Sequence, residues 1–259
     1  MSPDSGRAPG DPALPGRDGH IAVAIDGPAA SGKSSTAQWV AVDLGFRHVD
    51  SGALYRAATA AALRSGRPLA EWTPGFVVEQ SSRVTLVPSE TSFIPHLDGA
   101  SVVEEIRSTE VTRTTPLVAR MPEVRQWVNA QVRAVAQAHD VVCDGRDMGT
   151  AVFPDAELKV FLVADPWERA RRRLTQRLSR APSDEEIAEE TDRLVQRDAA
   201  DATQTVQAKD AVLIDTTYLT QAEQVERIVA LARAARLRRP LTPWEGIPAV
   251  PPPEEGGGR

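Results

Sequence analysis

The sequence predicts an α/β fold, a parallel sheet with helices layered on both faces. Three observations predict it. Short, continuously apolar runs such as "IAVAI" (21–25) and "LKVFLV" (158–163) read as strands buried on both sides. Helical spacing or a helix-capping signal follows them. The charged clusters fall just after the apolar runs, where the carboxyl ends of parallel strands gather ligands.

The elements follow in order. The run at 21–25 is the first strand. A helix starts near Lys33, with Ala37, Val40, Ala41 and Leu44 on one face and Gly45 as its stop. A second helix covers 52–65 and ends near Gly66. Between 67 and 120 the alternation breaks. There "RVTLVP" and "SFIPHLDG" read as short strands, and the region reads as an insertion on the main sheet. Pro122 opens a long helix with Val124, Trp127, Val128, Val132 and Val135 on one face. "VVCDGRD" and "LKVFLV" resume the core. Asp165, Pro166 and Glu168 open an arginine-rich helix. Ser183 and Glu186 form a capping box that restarts a helix towards Asp201. "AVLID" (211–215) is the last strand, and Thr220 and Glu223 cap the last helix.

The bulk numbers narrow the function. The chain has 259 residues, 41% of them apolar, and a formal net charge of −6. That balance suits a soluble globular protein without a general affinity for nucleic acid. No segment approaches 18 consecutive apolar residues, so no membrane partner is expected. Cys143 is the only cysteine, which rules out an intrachain disulfide and points to a reducing cytoplasm. Residues 1–19 and 237–259, rich in Pro and Gly, are expected to be disordered extensions.

"GPAASGKS" (27–34) fits G-x-x-x-x-G-K-[ST] directly after a strand and before a helix. Backbone N–H groups can wrap a phosphate only where side chains leave room, hence Gly27 and Gly32. The helix start aims its positive dipole end at the same anion. Lys33 brings a movable positive charge and Ser34 a hydroxyl for Mg²⁺. Gly27, Pro28, Ala29, Ala30, Ser31, Gly32, Lys33, Ser34 and Ser35 are thus the expected ATP-binding loop. A donor phosphate needs an acceptor. Arg56, Arg125, Arg146 and Arg197 stand at strand ends or around the insertion, and forked guanidinium groups suit phosphate oxygens. Asp50 and Asp144 end apolar runs nearby, where a carboxylate can hold Mg²⁺ or its waters.

The segments "VAIDGPAASGKSST", "DSGALYR", "EEIRSTEVTR", "PEVRQWV", "DGRDMGTAVFPDAELKVFL" and "QRDAAD" occur in this order. In that order they resemble the bacterial cytidylate kinases, over about 20–236. The resemblance implies a P-loop three-layer fold: core at 20–66 and 121–236, an inserted monophosphate-binding domain at 67–120, and a helical lid at about 172–204. It implies transfer of the γ-phosphoryl group of ATP to CMP or dCMP, with Mg²⁺, by a monomer. By position, Ser51, Arg56 and Arg146 would hold the acceptor phosphate. Arg125 and Asp147 would read the cytosine edge, with Asp144 beside them, and Arg197 and Asp201 would hold the sugar. Arg169 and Arg172 would close on ATP. Lys33, Arg146 and Arg197 would be catalytic. The chain departs from the family's usual pattern at Pro116, where a serine is usual, and at Gln204, where an arginine is usual.

The acceptor's phosphate is largely dianionic at neutral pH, so no general base is required. Two other readings stay open: a P-loop kinase with a shifted acceptor, following Pro116 and Gln204, and a non-enzymatic nucleotide- or RNA-binding protein. The second follows from the six arginines among residues 168–180.

Overall fold

The computed structural model describes residues 19–237. The two tails expected to be disordered therefore lie outside the described residues, apart from Gly19 and Leu237. The central sheet has five parallel strands: β1 (Ala22–Asp26), β2 (Arg47–Asp50), β6 (Val141–Gly145), β7 (Leu158–Val163) and β8 (Val212–Asp215). Their order is β2-β6-β1-β7-β8. Every residue of β1 and β6 is buried, as continuous apolar runs in a doubly covered sheet should be. Helices α1 (Lys33–Leu44) and α8 (Gln221–Leu237) cover one face around Ile25, Val40 and Ile228. Helices α2 (Ser51–Leu63) and α5 (Pro122–Ala136) cover the other around Leu54, Val128 and Met148.

The local signals work where they were read. Gly45 takes the left-handed conformation that ends α1, and its N–H reaches the Ala41 and Val42 carbonyls. The expected helix at 52–65 is α2, capped by Asp50, whose carboxylate accepts from Ala53 N at 2.8 Å. Helices α6 (Pro166–Leu178) and α7 (Asp184–Asp201) begin at Asp165 and at the Ser183–Glu186 capping box. At α8, Glu223 accepts from both the N–H and the hydroxyl of Thr220.

Several elements are additional. Strand β2 reads Arg-His-Val-Asp, with too little apolar pattern to signal a strand. It forms because β6 pairs with it in parallel register, Val49 opposite Cys143. The region 67–120 holds more than the two expected strands. It contains α3 (Pro74–Ser81), strands β3 (Val84–Pro88), β4 (Phe93–Leu97) and β5 (Ala100–Ser101), and α4 (Thr109–Ala119). Thr73 and Ser108 cap these helices. Pro116 sits inside α4, where a proline normally argues against a helix.

One small apolar cluster positions the site. Ala170 and Leu174 of α6, Ile187 and Leu194 of α7, and Ala29 of the loop after β1 pack together. This seats the α6–α7 hairpin on that loop.

Candidate active site

The loop from Gly27 to Gly32 leaves β1 and turns into α1. A Cβ on Gly27 would lie 2.3 Å from the Leu162 carbonyl oxygen, so only glycine lets the loop pack on β7. Gly32, with φ 86°, caps α1 without a side chain, leaving the first helical N–H groups facing outward for an anion. The Ser31 hydroxyl is buried and makes no hydrogen bond to any described residue.

Lys33 is 8% exposed and donates to the Pro28 carbonyl at 3.0 Å. Burial pulls its ammonium down to about 7, and the neighbouring Arg146 charge adds to that. A cation held this far below its ordinary value gains strongly from an incoming phosphate.

Ser34 donates to Asp144 Oδ2 at 2.5 Å, and His48 Nε2 lies 2.7 Å from Asp144 Oδ1. Burial pushes Asp144 up, but the His48 hydrogen bond and charge outweigh it and leave the carboxyl below its ordinary value. Asp26, buried beside the loop, accepts from Met148 N at 2.8 Å and Gly149 N at 2.7 Å. Burial still raises it to about 6 against those two amides. Asp50 takes a structural role: Oδ1 caps α2 and Oδ2 pairs with Arg56 at 2.9 Å.

A cleft of about 630 Å³ opens between the loop, α2, α4 and α7. The structure brings Lys33, Ser34, Ser51, Arg56, Arg146 and Arg197 into its walls, with Arg125, Asp144, Asp147 and Asp201. Ser51 donates to the Asp144 carbonyl at 2.7 Å. The Asp201 carboxylate lies 3.6 Å from Arg146 and 3.8 Å from Arg197. At the far end Arg125 pairs with Asp147 and donates to Gln204 Oε1 at 2.8 Å. Gln204 is therefore a partner of Arg125 and not merely a lost cation. Tyr55 also lines this end. Its buried hydroxyl, raised by burial, has no hydrogen-bond partner among the described residues.

A second cavity, about 760 Å³, lies on the outer side of the loop. Ser35, Arg172, Tyr218 and Gln224 line it. The two arginines expected to close on ATP are held differently. Arg169 is 4% exposed. It donates to the Ala29 carbonyl at 2.8 Å and pairs with Asp198 at 2.6 Å, while Asp198 accepts from Ala29 N at 3.1 Å. This clasp holds the loop's backbone from both sides. Arg172 donates to the Thr216 and Thr217 carbonyls at 2.6 and 2.8 Å.

Sequence reasoning missed Asp26, His48, Tyr55 and Asp198. For His48 and Tyr55 the one available signal was their place in "HVDSGALYR".

The chain matches a family model described as cytidylate kinase over residues 23–234. It is 40% identical over 222 residues to a cytidylate kinase from Pelotomaculum thermopropionicum, covering 83% of this chain and 96% of that one. It is 42% identical over 214 residues to a cytidylate kinase from Geobacillus kaustophilus, covering 82% and 96%. With the cytidylate kinase of Desulfitobacterium hafniense it shares 42% identity over 216 residues, covering 82% and 92%.

Proposed function

The chain belongs to the cytidylate kinase family, and from that premise we propose how its cleft transfers the γ-phosphoryl group of ATP to CMP or dCMP, giving ADP and CDP or dCDP. The observation that carries the reading is one cleft with Lys33 and the phosphate loop at one end, arginines in the middle and the Arg125–Asp147 pair at the other.

ATP binds with its phosphates in the loop of 27–35 and its adenosine in the outer cavity. The loop amides and the α1 start take the β-phosphate, and Lys33 bridges β and γ. CMP enters the 630 Å³ cleft. Arg56, Arg146 and Ser51 hold its phosphate, and Arg197 and Asp201 hold its sugar. Arg125 donates and Asp147 accepts at the base edge. That pattern suits cytosine, which offers acceptors at O2 and N3 and a donor at N4.

The CMP phosphate oxygen attacks the γ-phosphorus, and the bond to the β-phosphate oxygen breaks. The acceptor is already ionised, so no side chain needs to remove a proton. Lys33, Arg146 and Arg197 screen the repulsion between the two anions and stabilise charge on the moving group. The α6–α7 hairpin, as lid, excludes water from that group. The insertion at 67–120 acts as the monophosphate-binding domain.

Ser34 and Asp144 fit Mg²⁺. They place a hydroxyl and a depressed carboxylate together at the cleft floor. No group of three or more His, Cys, Asp or Glu among the described residues could hold a metal. That matches an ion retaining waters and phosphate ligands. When bound, Mg²⁺ neutralises charge on the β and γ phosphates. In this reading the chain acts as a monomer. No described helix is long and apolar enough to cross a membrane. The buried lone Cys143 suits a cytoplasmic setting.

An ADP-release assay with ATP and each of CMP, dCMP, UMP and AMP tests the reading. Release with CMP and dCMP supports it. Release only with another monophosphate would support the shifted-acceptor kinase, and none with any would overturn phosphoryl transfer.

A further inference from the structure

We infer that Glu190 is a positioning residue for phosphoryl transfer, holding the Arg173 guanidinium at the junction between the two cavities. The inference rests on the function proposed above.

Arg173 and Ala30 line both cavities, the outer one and the cleft. That junction is where a γ-phosphate must pass from donor to acceptor. Arg173 is also the one residue of α6 that lines the cleft among the described residues. Its neighbours Arg169 and Arg172 have their guanidiniums tied to backbone carbonyls of the loop and of the segment after β8. Arg173 is held by Glu190 instead, Nε to Oε1 at 2.9 Å. Its terminal nitrogens make no hydrogen bond to a described residue, so the fork is open to an anion.

Glu190 itself is unusual. It sits on α7, is 4% exposed, and carries a charge with arginines as its ion-pair partners: Arg173, Arg193 at 3.4 Å and Arg177 at 3.7 Å. A buried carboxylate is costly unless such partners meet it. Of these three cations Arg173 and Arg193 line the cleft, and Arg193 is also paired with Glu189 at 3.2 Å. Glu190 thus prevents the arginines from repelling one another and sets the direction of a long, flexible side chain.

A double-mutant cycle on the full chain tests this. Wild type, Glu190→Gln, Arg173→Gln and the double variant are compared for ADP release with ATP and CMP, for ATP affinity by calorimetry and for unfolding midpoint. Glu190→Gln is expected to lower kcat about tenfold with KM for CMP within about twofold, and to add no loss in the Arg173→Gln background. An equal loss in both backgrounds, or a lowered midpoint with kcat intact, would overturn the inference. Should Glu190→Gln fail to fold, Arg173→Lys carries the test. Lysine cannot pair with Glu190 through Nε and still present a fork, so kcat falls about tenfold; unchanged kcat overturns the inference. Wild-type protein inactive on CMP would overturn the proposed function instead. The cycle is then read on ATP affinity, where a severalfold loss confined to the Arg173 background supports Glu190 and equal losses overturn it.

Discussion

His48 and Asp144 form a buried ion pair beneath the phosphate loop, Nε2 to Oδ1 at 2.7 Å, with side chains 10% and 3% exposed. The same carboxylate accepts from Ser34, so the imidazole fixes the orientation of the carboxylate that meets Ser34 in the cleft wall. Burial pulls His48 down, yet the hydrogen bond and charge of Asp144 win and leave it above its ordinary value. A raised histidine stabilises the fold fully below its unfolded value of about 6.5, and the benefit fades as pH rises through the higher folded value. His48→Gln is expected to cost about 2–4 kcal/mol in urea unfolding at pH 6, with a smaller gap at alkaline pH. A gap that grows with pH would contradict the pairing.

Lys33 has the opposite sign. Its ammonium is lowered to about 7 by burial, so its destabilising effect is full below pH 7 and is relieved as pH rises towards 10.5. Lys33→Met is expected to remove turnover by at least about 100-fold. The same variant raises the unfolding midpoint at pH 6 and raises it less at pH 9.

ATP binding should also take up a proton at pH 8. The bound phosphates raise Lys33 back towards its ordinary value. Calorimetry in buffers of different ionisation enthalpy reads this directly, and Lys33→Met abolishes the uptake. Identical heats in all buffers would contradict it.

Arg169→Ala breaks the clasp on Ala29 and leaves Asp198 without its cation. The expected cost is about 3 kcal/mol in unfolding, together with weaker ATP binding. Asp198→Asn keeps one acceptor for Ala29 N–H and is expected to be milder.

Gln204→Arg restores the residue usual in the family and sets a cation against Arg125 Nη1, where the amide oxygen now accepts. KM for CMP is expected to rise about tenfold. A fall in KM would show that Gln204 acts only as an absent charge.

Much of this was legible locally. Gly27, Gly32 and Lys33, placed between an apolar strand and a helix, mark the loop after β1, and the caps at Asp165 and Ser183 set α6 and α7. Strand β2 was not legible, because its one aliphatic residue carries no period and its partner lies far along the chain. Helix α4 was hidden by Pro116. The bonds from Arg169 and Arg172 to the Ala29 and Thr216 carbonyls were not legible either, because those carbonyls lie far along the chain. The weight of His48 and Glu190 comes wholly from tertiary contact and burial.

The phosphoryl group passes between two nucleotides bound in one cleft. Direct transfer is tested by incubating the protein with γ-labelled ATP and CMP and locating the label. Label is expected in the β-phosphate of CDP, matching ADP formed one for one. Label appearing only as free inorganic phosphate, with CMP unchanged, would contradict it.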